Sequence, residues 1–338
     1  MSISFFIFFC IFSLSLIYLC RKFDLIIDYK LEKHKRYSSK IKSHSIGGII
    51  LGSFFVYQFI YYSEYFLLFF LLSILLIGLL SDIKILNNVG LRFGLQLVLI
   101  ISFTVLLDNK IETTRIELVD QILNYNFINI IFVTFCIMVL INGANFIDGL
   151  NGLLIGYFLI VYFIILSSFG NLANIDNVLL LNIIIILSIL LIINLSGFIY
   201  MGDSGAYLIA AFTGVYLINF SAQNLLISPY LIIVLLWYPC FELLFSMVRR
   251  FRNKSKAYKP DVLHLHQLVY FFYKNKFNIQ NDQIIHFISS FSINFYNLLI
   301  FIYAANFEYN SQFLILLLLV NITIYLFFYF FLKKQIKK

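Results

Sequence analysis

Three isolated aspartates are the residues of this sequence best suited to chemistry. Asp82, Asp148 and Asp203 each lie in a short polar segment between long apolar runs. Ionisable residues at membrane depth are costly and are usually functional. Carboxylate oxygens are also the protein ligands that Mg²⁺ prefers. One such aspartate is compatible with an ordinary helix cap, but three in successive segments together favour a functional site.

The segments around Asp148 and Asp203 are rich in glycine. The first reads NGANFIDGLNGL from Asn142, and the second reads GFIYMGDSG from Gly197. Because glycine allows close approach of the backbone to a ligand, we expect residues 142–149 to form a tight turn. The second segment precedes a helix, whose first backbone N–H groups favour phosphate. Taken alone, the first segment is equally compatible with a purely structural loop.

Two histidines end a long basic segment that reads KPDVLHLHQ. His264 and His266 have i, i+2 spacing, which differs from the i, i+4 pair of a helical zinc site. Next to many Lys and Arg residues, contact with phosphate is the better interpretation, and solvated loop histidines are the alternative. Glu242 lies inside an apolar run, and we expect it to face the helix bundle and to pair with a base.

Long apolar runs must carry these polar segments. Of the 338 residues 62% are hydrophobic and 12% are charged, whereas soluble domains have roughly 25% charged residues. This composition excludes a disordered tail, a coiled coil and most soluble enzymes. Because a spanning helix needs about 20 mostly apolar residues, the chain is predicted to be one all-α domain over 1–338, a polytopic integral membrane helical bundle. The eleven predicted spans lie near 2–20, 46–62, 65–80, 91–107, 127–141, 150–168, 178–194, 205–220, 229–248, 284–304 and 313–332.

The basic residues indicate the orientation of this bundle. With eleven spans, all of the 24 Lys and Arg residues except Lys110 and Arg115 fall on one side. The positive-inside rule makes that side cytoplasmic, with the N-terminus outside and the C-terminus inside. Most basic residues of 21–42 are expected to bind anionic lipid non-specifically. Lys42 and Lys84 adjoin the polar segments and are candidate substrate-binding cations.

Five motifs, taken in order, resemble those of the polyprenyl-phosphate N-acetylhexosamine-1-phosphate transferases of glycosyltransferase family 4. This family makes the first lipid-linked intermediates of peptidoglycan, O-antigen and teichoic acid. The similar region runs from about residue 42 to residue 267. The motifs are His44 to Gly48, Gly78 to Gln96, Asn142 to Leu153, Met201 to Gly205 and Asp261 to Gln267.

The resemblance implies an activity and its participants. A sugar 1-phosphate, expected to be an N-acetylhexosamine 1-phosphate, leaves a UDP-sugar for polyprenyl phosphate, and polyprenyl-diphospho-sugar and UMP result. The implied cofactor is Mg²⁺, or Mn²⁺ in its place. The implied location is the cytoplasmic face of a bacterial inner membrane, where the product initiates an envelope polysaccharide such as O-antigen. The partners are the donor, the lipid acceptor and membrane lipids, without nucleic acid, and a homodimer is compatible with the family.

The resemblance also implies roles for individual residues. Asp148 is the expected Mg²⁺ ligand, and Asp203 supports the metal or the diphosphate. Asp82 matches the second aspartate of a family pair and would orient or deprotonate the acceptor phosphate. His264 and His266 would contact the donor diphosphate. The other predicted binding residues are Asn142, Asn145, Lys84 and Lys42.

Three positions depart from the family pattern. Ser81 and Asn151 stand where the family has aspartates, and Gln267 stands where it has a histidine. Each substitute can form hydrogen bonds but lacks the charge or basicity of the family residue. A divergent active enzyme is the favoured interpretation, and an inactive relative that acts as a scaffold is one alternative. The other is a transporter or lipid flippase, although transporters place ionisable residues near the bilayer midplane.

Overall fold

The computed structural model describes residues 3–23, 25–26, 44–172, 176–252 and 263–336, and these are helical throughout except for connecting turns and one isolated parallel bridge between His44 and Ile199. The helices are α1 (Ile3–Lys22), α2 (Gly47–Tyr61), α3 (Tyr65–Asp82), α4 (Val89–Leu106), α5 (Glu117–Leu123), α6 (Asn126–Ile147), α7 (Leu153–Phe169), α8 (Asn177–Leu195), α9 (Gly202–Gln223), α10 (Pro229–Leu235), α11 (Trp237–Arg252), α12 (Leu265–Phe277), α13 (Asp282–Ala305) and α14 (Ser311–Ile336). The prediction of an all-α fold is confirmed for these ranges.

Every predicted span contains a helix, although not every helix is long enough to cross a bilayer alone. Among the residues that the structure describes, seven helices have the length and apolar composition of a membrane span, namely α3, α4, α6, α8, α9, α13 and α14. The apolar helices α2 and α7 have only 15 and 17 residues. The helices α10 and α11 form one apolar segment that bends by 72°. A polytopic membrane protein is therefore supported, whereas the count of eleven spans and their orientation stay predictions.

The structure corrects one predicted segment boundary. Helix α6 extends to Ile147, so the tight turn expected from residue 142 is wrong, and the chain turns only after the helix ends. The glycine at 143 serves helix packing instead. A Cβ atom there would collide with the carbonyl oxygen of Pro239, so this glycine allows α6 to lie directly against α11. Small residues commonly allow such close approach between membrane helices.

Helix α9 lies at the centre of the bundle, and most of its side chains are buried from Gly202 to Phe220. It packs against α2, α3 and α6. At its start, a Cβ atom on Gly48 or on Gly78 would collide with Ser204. These two glycines therefore let the ends of α2 and α3 touch the backbone of α9, which brings the segments of Asp82 and Asp203 together.

Candidate active site

The carboxylate of Asp82 caps the first turn of α9. It accepts hydrogen bonds from the backbone N–H of Asp203 at 2.9 Å, from the N–H of Ser204 at 3.1 Å and from the Ser204 hydroxyl at 2.7 Å. Gly202 makes room for it, because its φ is 69° and a Cβ atom there would lie only 2.6 Å from an Asp82 oxygen. A carboxylate is favourable at a helix N-terminus because of the helix dipole. The expectation that these N–H groups bind phosphate is therefore wrong, since Asp82 already occupies them.

Asp203 forms an ion pair instead of standing free. Its Oδ2 atom accepts a hydrogen bond from Arg92 Nη1 at 2.6 Å and another from the Ser81 hydroxyl at 2.6 Å. Arg92 also contacts the Ser81 hydroxyl oxygen directly. Ser81, the first departure from the family pattern, thus links the two members of this ion pair without adding a third carboxylate beside Asp82 and Asp203.

Sequence reasoning missed the role of Arg92. The charge distribution includes this residue only among the basic residues of the predicted cytoplasmic side. The available signal was a lone arginine in the first turn of an apolar helix, with Gln96 four residues later on the same face. The sequence separation of 111 residues between Arg92 and Asp203 hid their pairing.

The C-terminal part of α6 presents a polar face to α4 and α9. Asn142, Asn145 and Asp148 are spaced at i, i+3 and therefore share one side of the helix. The amide nitrogen of Asn142 lies 3.4 Å from Gln96 Oε1, and that of Asn145 lies 3.5 Å from the Tyr207 hydroxyl. Asp148 follows the last helical residue and is half-buried. The asparagines thus connect the Asp148 end of α6 to the helices that carry Arg92 and Asp203.

The two predicted histidines lie against the same end of α6. His264 and His266 are buried, so the alternative of solvated loop histidines is wrong. Their rings are stacked, with centroids 5.5 Å apart. The ring of Phe146 packs against His264 at 5.1 Å, and a Cβ atom on Gly149 would lie 2.5 Å from His266 Nε2. The two histidines therefore contact residues on either side of Asp148 in the sequence, Phe146 and Gly149.

His266 has no hydrogen-bond partner among the described residues on either ring nitrogen. Burial, aided by His264 nearby, lowers the pKa of His266 to about 3, so the ring is neutral at pH 7. A neutral imidazole has one donor and one acceptor. Because buried polar groups are normally hydrogen-bonded, this ring is suited to a bound ligand or water beside Gly149.

Glu242 fulfils the expectation that it faces the bundle and pairs with a base. It is completely buried, and its Oε1 atom lies 2.9 Å from His264 Nδ1. Its Oε2 atom accepts hydrogen bonds from the Tyr325 hydroxyl at 2.7 Å and from Leu265 N–H at 3.4 Å. The prediction of a buried pair is confirmed.

The other two departures from the family pattern differ in their contacts. Gln267 accepts a hydrogen bond on Oε1 from the backbone N–H of His264 at 3.4 Å, at the start of α12. Asn151 is buried, and its backbone N–H donates to Nδ1 of His286 at 3.3 Å. The Gln267 side chain thus stabilises the segment that carries the histidines, whereas the hydrogen bond at position 151 does not depend on the side chain.

Of the two candidate lysines, Lys84 lies within the described residues. Lys84 is exposed in the turn after α3, where its φ is 61°. It therefore lies on the same surface as the end of α3 and close in sequence to Asp82. Lys42 lies outside the described residues.

The donor atoms suit a weakly coordinated Mg²⁺ rather than a closed metal centre. Within the described ranges, no group of three or more His, Cys, Asp or Glu side chains is arranged to hold a metal ion. Mg²⁺ usually takes one or two protein carboxylates, with substrate phosphates and water completing its shell. Asp148, with the amide of Asn145 one turn earlier, provides a donor set of that kind.

Comparison with known proteins finds a family that matches the middle of the chain. The family model described as Glycosyl transferase family 4 matches residues 65–221. This stretch is therefore similar to the glycosyl transferases of family 4. The family 4 stretch, residues 65–221, runs from the start of α3 into α9 and holds Asp82, Arg92, Asp148 and Asp203, whereas Glu242 and the two histidines lie beyond it.

Two curated relatives carry the same name. The decaprenyl-phosphate N-acetylglucosaminephosphotransferase of Mycobacterium leprae (strain TN) is 33% identical over 149 residues, which cover 38% of this chain and 37% of that protein. The protein of the same name from Mycobacterium tuberculosis (strain ATCC 25618 / H37Rv) gives the same values. The chain thus matches little more than a third of the length of these relatives. The predicted resemblance to the polyprenyl-phosphate sugar-1-phosphate transferases is confirmed.

Proposed function

We propose that this protein transfers a sugar 1-phosphate from a UDP-sugar to polyprenyl phosphate, with release of UMP. The observation that carries the proposal is that α6, which ends next to Asp148, contacts the helices of Arg92 and Asp203 through Asn142 and Asn145, and that both buried histidines pack against the same end of α6. The family 4 match and the names of the relatives, which specify a decaprenyl phosphate and an N-acetylglucosamine phosphate, support it.

The reaction exchanges one phosphoanhydride bond for another. An oxygen of the acceptor phosphate attacks the β-phosphorus of the UDP-sugar. The bond from that phosphorus to the bridging oxygen breaks, and UMP leaves with the bonding electrons. Phosphoryl-type transfer depends mainly on alignment and on neutralisation of charge. Mg²⁺ bound through Asp148 would neutralise negative charge on the diphosphate.

The chain's own groups complete this environment. Arg92 is a cation whose position is fixed by Asp203 and Ser81, and it can attract a phosphate to the end of α4. The neutral ring of His266 can donate one hydrogen bond to a phosphate oxygen. A phosphate monoester has a second pKa near 6 and is largely a dianion at neutral pH. The acceptor therefore needs no strong base, and we assign Asp82 to holding α9 rather than to removing a proton.

The membrane setting explains the need for apolar helices. A long prenyl chain stays in the lipid while its phosphate reaches the polar helix ends. We propose that this face is the cytoplasmic face of a bacterial inner membrane, and that the product initiates an envelope polysaccharide such as O-antigen. A transporter is the weaker candidate because the polar groups cluster at helix ends, with Glu242 as the acid that lies inside an apolar segment.

The proposal is tested by following UMP. Purified protein in lipid nanodiscs would be given Mg²⁺, a panel of UDP-N-acetylhexosamines and other UDP-sugars, and polyprenyl phosphate. We expect UMP release with at least one donor, and only when the lipid phosphate is present. Asp148→Asn should reduce the rate by about a hundredfold or more, while Asp108→Asn, an exposed aspartate in the turn after α4, should not. No release with any donor would contradict the proposal.

A further inference from the structure

A buried chain of hydrogen bonds connects the last helix to the candidate active site. The Tyr325 hydroxyl of α14 donates to Glu242 Oε2 at 2.7 Å, and Glu242 Oε1 lies 2.9 Å from His264 Nδ1. All three side chains are buried. A carboxylate without solvent is costly unless it is well paired. Such a group inside an apolar segment is therefore a functional candidate.

The geometry fixes the direction of the His264 ring. Because an ionised carboxylate only accepts, the Nδ1 atom that faces Glu242 carries a proton, and Nε2 points away from Glu242. The Ser246 hydroxyl at 3.3 Å from Nδ1 and the Phe146 ring at 5.1 Å hold the imidazole from two further sides. A ring oriented by a third group in this way is typical of catalytic histidines.

Helix α14 also contacts the same hydrogen-bond network through Tyr329. Arg249 donates from Nη1 to the Tyr329 hydroxyl at 2.7 Å and also contacts the carbonyl oxygen of Leu263. Its Nη2 atom donates to the Ser246 hydroxyl at 3.3 Å. Tyr325 and Tyr329 are one turn apart on α14, so one face of this helix supports both Glu242 and the residue before His264.

We propose that Glu242 is a positioning residue for His264, and that Tyr325 positions Glu242, so that α14 completes the active site. This inference rests on the proposed function for its kinetic consequence but not for its structural one. It extends the site beyond the family 4 stretch, which ends at residue 221. It also assigns a role in the reaction to Glu242, the acidic residue buried in α11.

The structural consequence is tested by nitrogen NMR of the histidine rings. Full-length protein with ¹⁵N-labelled histidine rings would be measured in nanodiscs at pH 7.5, and His264→Asn would assign one of the five histidines. We expect a protonated Nδ1 for His264. Glu242→Gln should shift the His264 ring signals strongly, and Tyr325→Phe should shift them less. Tyr296→Phe, which removes a 2.6 Å hydrogen bond from α13 to Asn321 of α14, should leave them unchanged.

Steady-state kinetics of the transfer reaction test the functional consequence of the positioning role. We expect Glu242→Gln to lower kcat by about a hundredfold and Tyr325→Phe to lower it by about fivefold. KM for the acceptor should change little, and Glu242→Asp should recover part of kcat. Tyr296→Phe should match the wild type.

The outcomes separate the two proposals. Unchanged His264 signals in Glu242→Gln would overturn the positioning role, even if the enzyme is active. An inactive wild type with the expected NMR shifts would overturn the proposed function and leave the geometric inference standing. If Glu242→Gln does not fold, Tyr325→Phe decides, because it keeps the carboxylate, and unchanged signals there would count against the inference.

Discussion

At the scale of single residues, neighbouring carboxylates of similar chemistry have different tasks. The carboxylate oxygens of Asp82 accept hydrogen bonds from the backbone of α9, whereas the adjacent Asp203 binds Arg92. Asp148 lies one helix away, beside two histidines that are buried rather than solvated. The environment of each group, and not its residue type, therefore determines which one is suited to a metal, a cation or a helix end.

His266 gives a prediction at this scale. Its pKa in the folded protein is lowered to about 3 by burial, whereas an unfolded histidine has a pKa of about 6.5. Below pH 6.5 the unfolded state therefore takes up a proton that the folded state does not, and stability falls as the pH falls. When the pH falls from 7.5 to 5.5, we expect the free energy of unfolding of the wild type to decrease by about 1 kcal/mol more than that of His266→Gln. Urea unfolding of both proteins at the two pH values measures this difference, and equal losses would contradict the neutral buried ring.

At the scale of helices, the site depends on how closely α3 approaches α9. Gly78 of α3 lies against the backbone of Ser204, and the same contact holds Asp82 at the first turn of α9. A side chain at this position must separate the helices. The capping carboxylate would then move away from its N–H partners, and Asp203 would move with α9 relative to Arg92 on α4.

Two glycine substitutions test this packing. Gly78→Ala introduces a collision with Ser204, whereas a Cβ atom on Gly94 of α4 has no atom within 4 Å. We expect Gly78→Ala to lower the free energy of unfolding by about 1–3 kcal/mol and to reduce activity. Gly94→Ala should raise it slightly, because alanine is the better helix former. Thermal unfolding in one detergent measures both, and equal effects of the two substitutions would rule out the proposed contact.

Local pattern predicted the helices but not their contacts. Each apolar run that was predicted to span contains a helix, because a segment that crosses lipid must be continuously apolar. The end of α6 was mispredicted because Asn142 and Gly143 favour turns in isolation, whereas packing on Pro239 keeps them helical. The bend between α10 and α11 was not predicted, and neither was the Arg92–Asp203 pair. The ion pair results from a tertiary contact, which sequence spacing does not encode. The bend lies where Pro239 cannot donate a backbone hydrogen bond to Leu235, the last residue of α10.

At the scale of the whole molecule, the residues of the candidate active site come from two parts of the chain. The family 4 stretch carries the aspartates, and the helices after it carry Glu242, both histidines and Tyr325. The predicted distribution of basic residues assigns the face of this site to the cytoplasm. The nucleotide sugar and the lipid phosphate would then meet at the interface between water and bilayer.

Cysteine labelling tests the orientation. In a background without the four native cysteines, Lys84→Cys and Asp108→Cys place single thiols in exposed turns at opposite ends of α3 and α4. A membrane-impermeant maleimide added to intact cells should label the Asp108→Cys protein and should label the Lys84→Cys protein only after lysis. The reverse pattern would contradict the predicted topology.

The most direct test of the central claim follows the β-phosphate of the donor. A UDP-sugar labelled with ³²P at the β-position would be incubated with polyprenyl phosphate and nanodiscs that contain wild type or Asp148→Asn. We predict that the wild type moves the label into the lipid fraction together with the sugar and releases unlabelled UMP, whereas Asp148→Asn does not. Sugar in the lipid with the label retained in UDP would show transfer of the sugar alone, and would contradict the account.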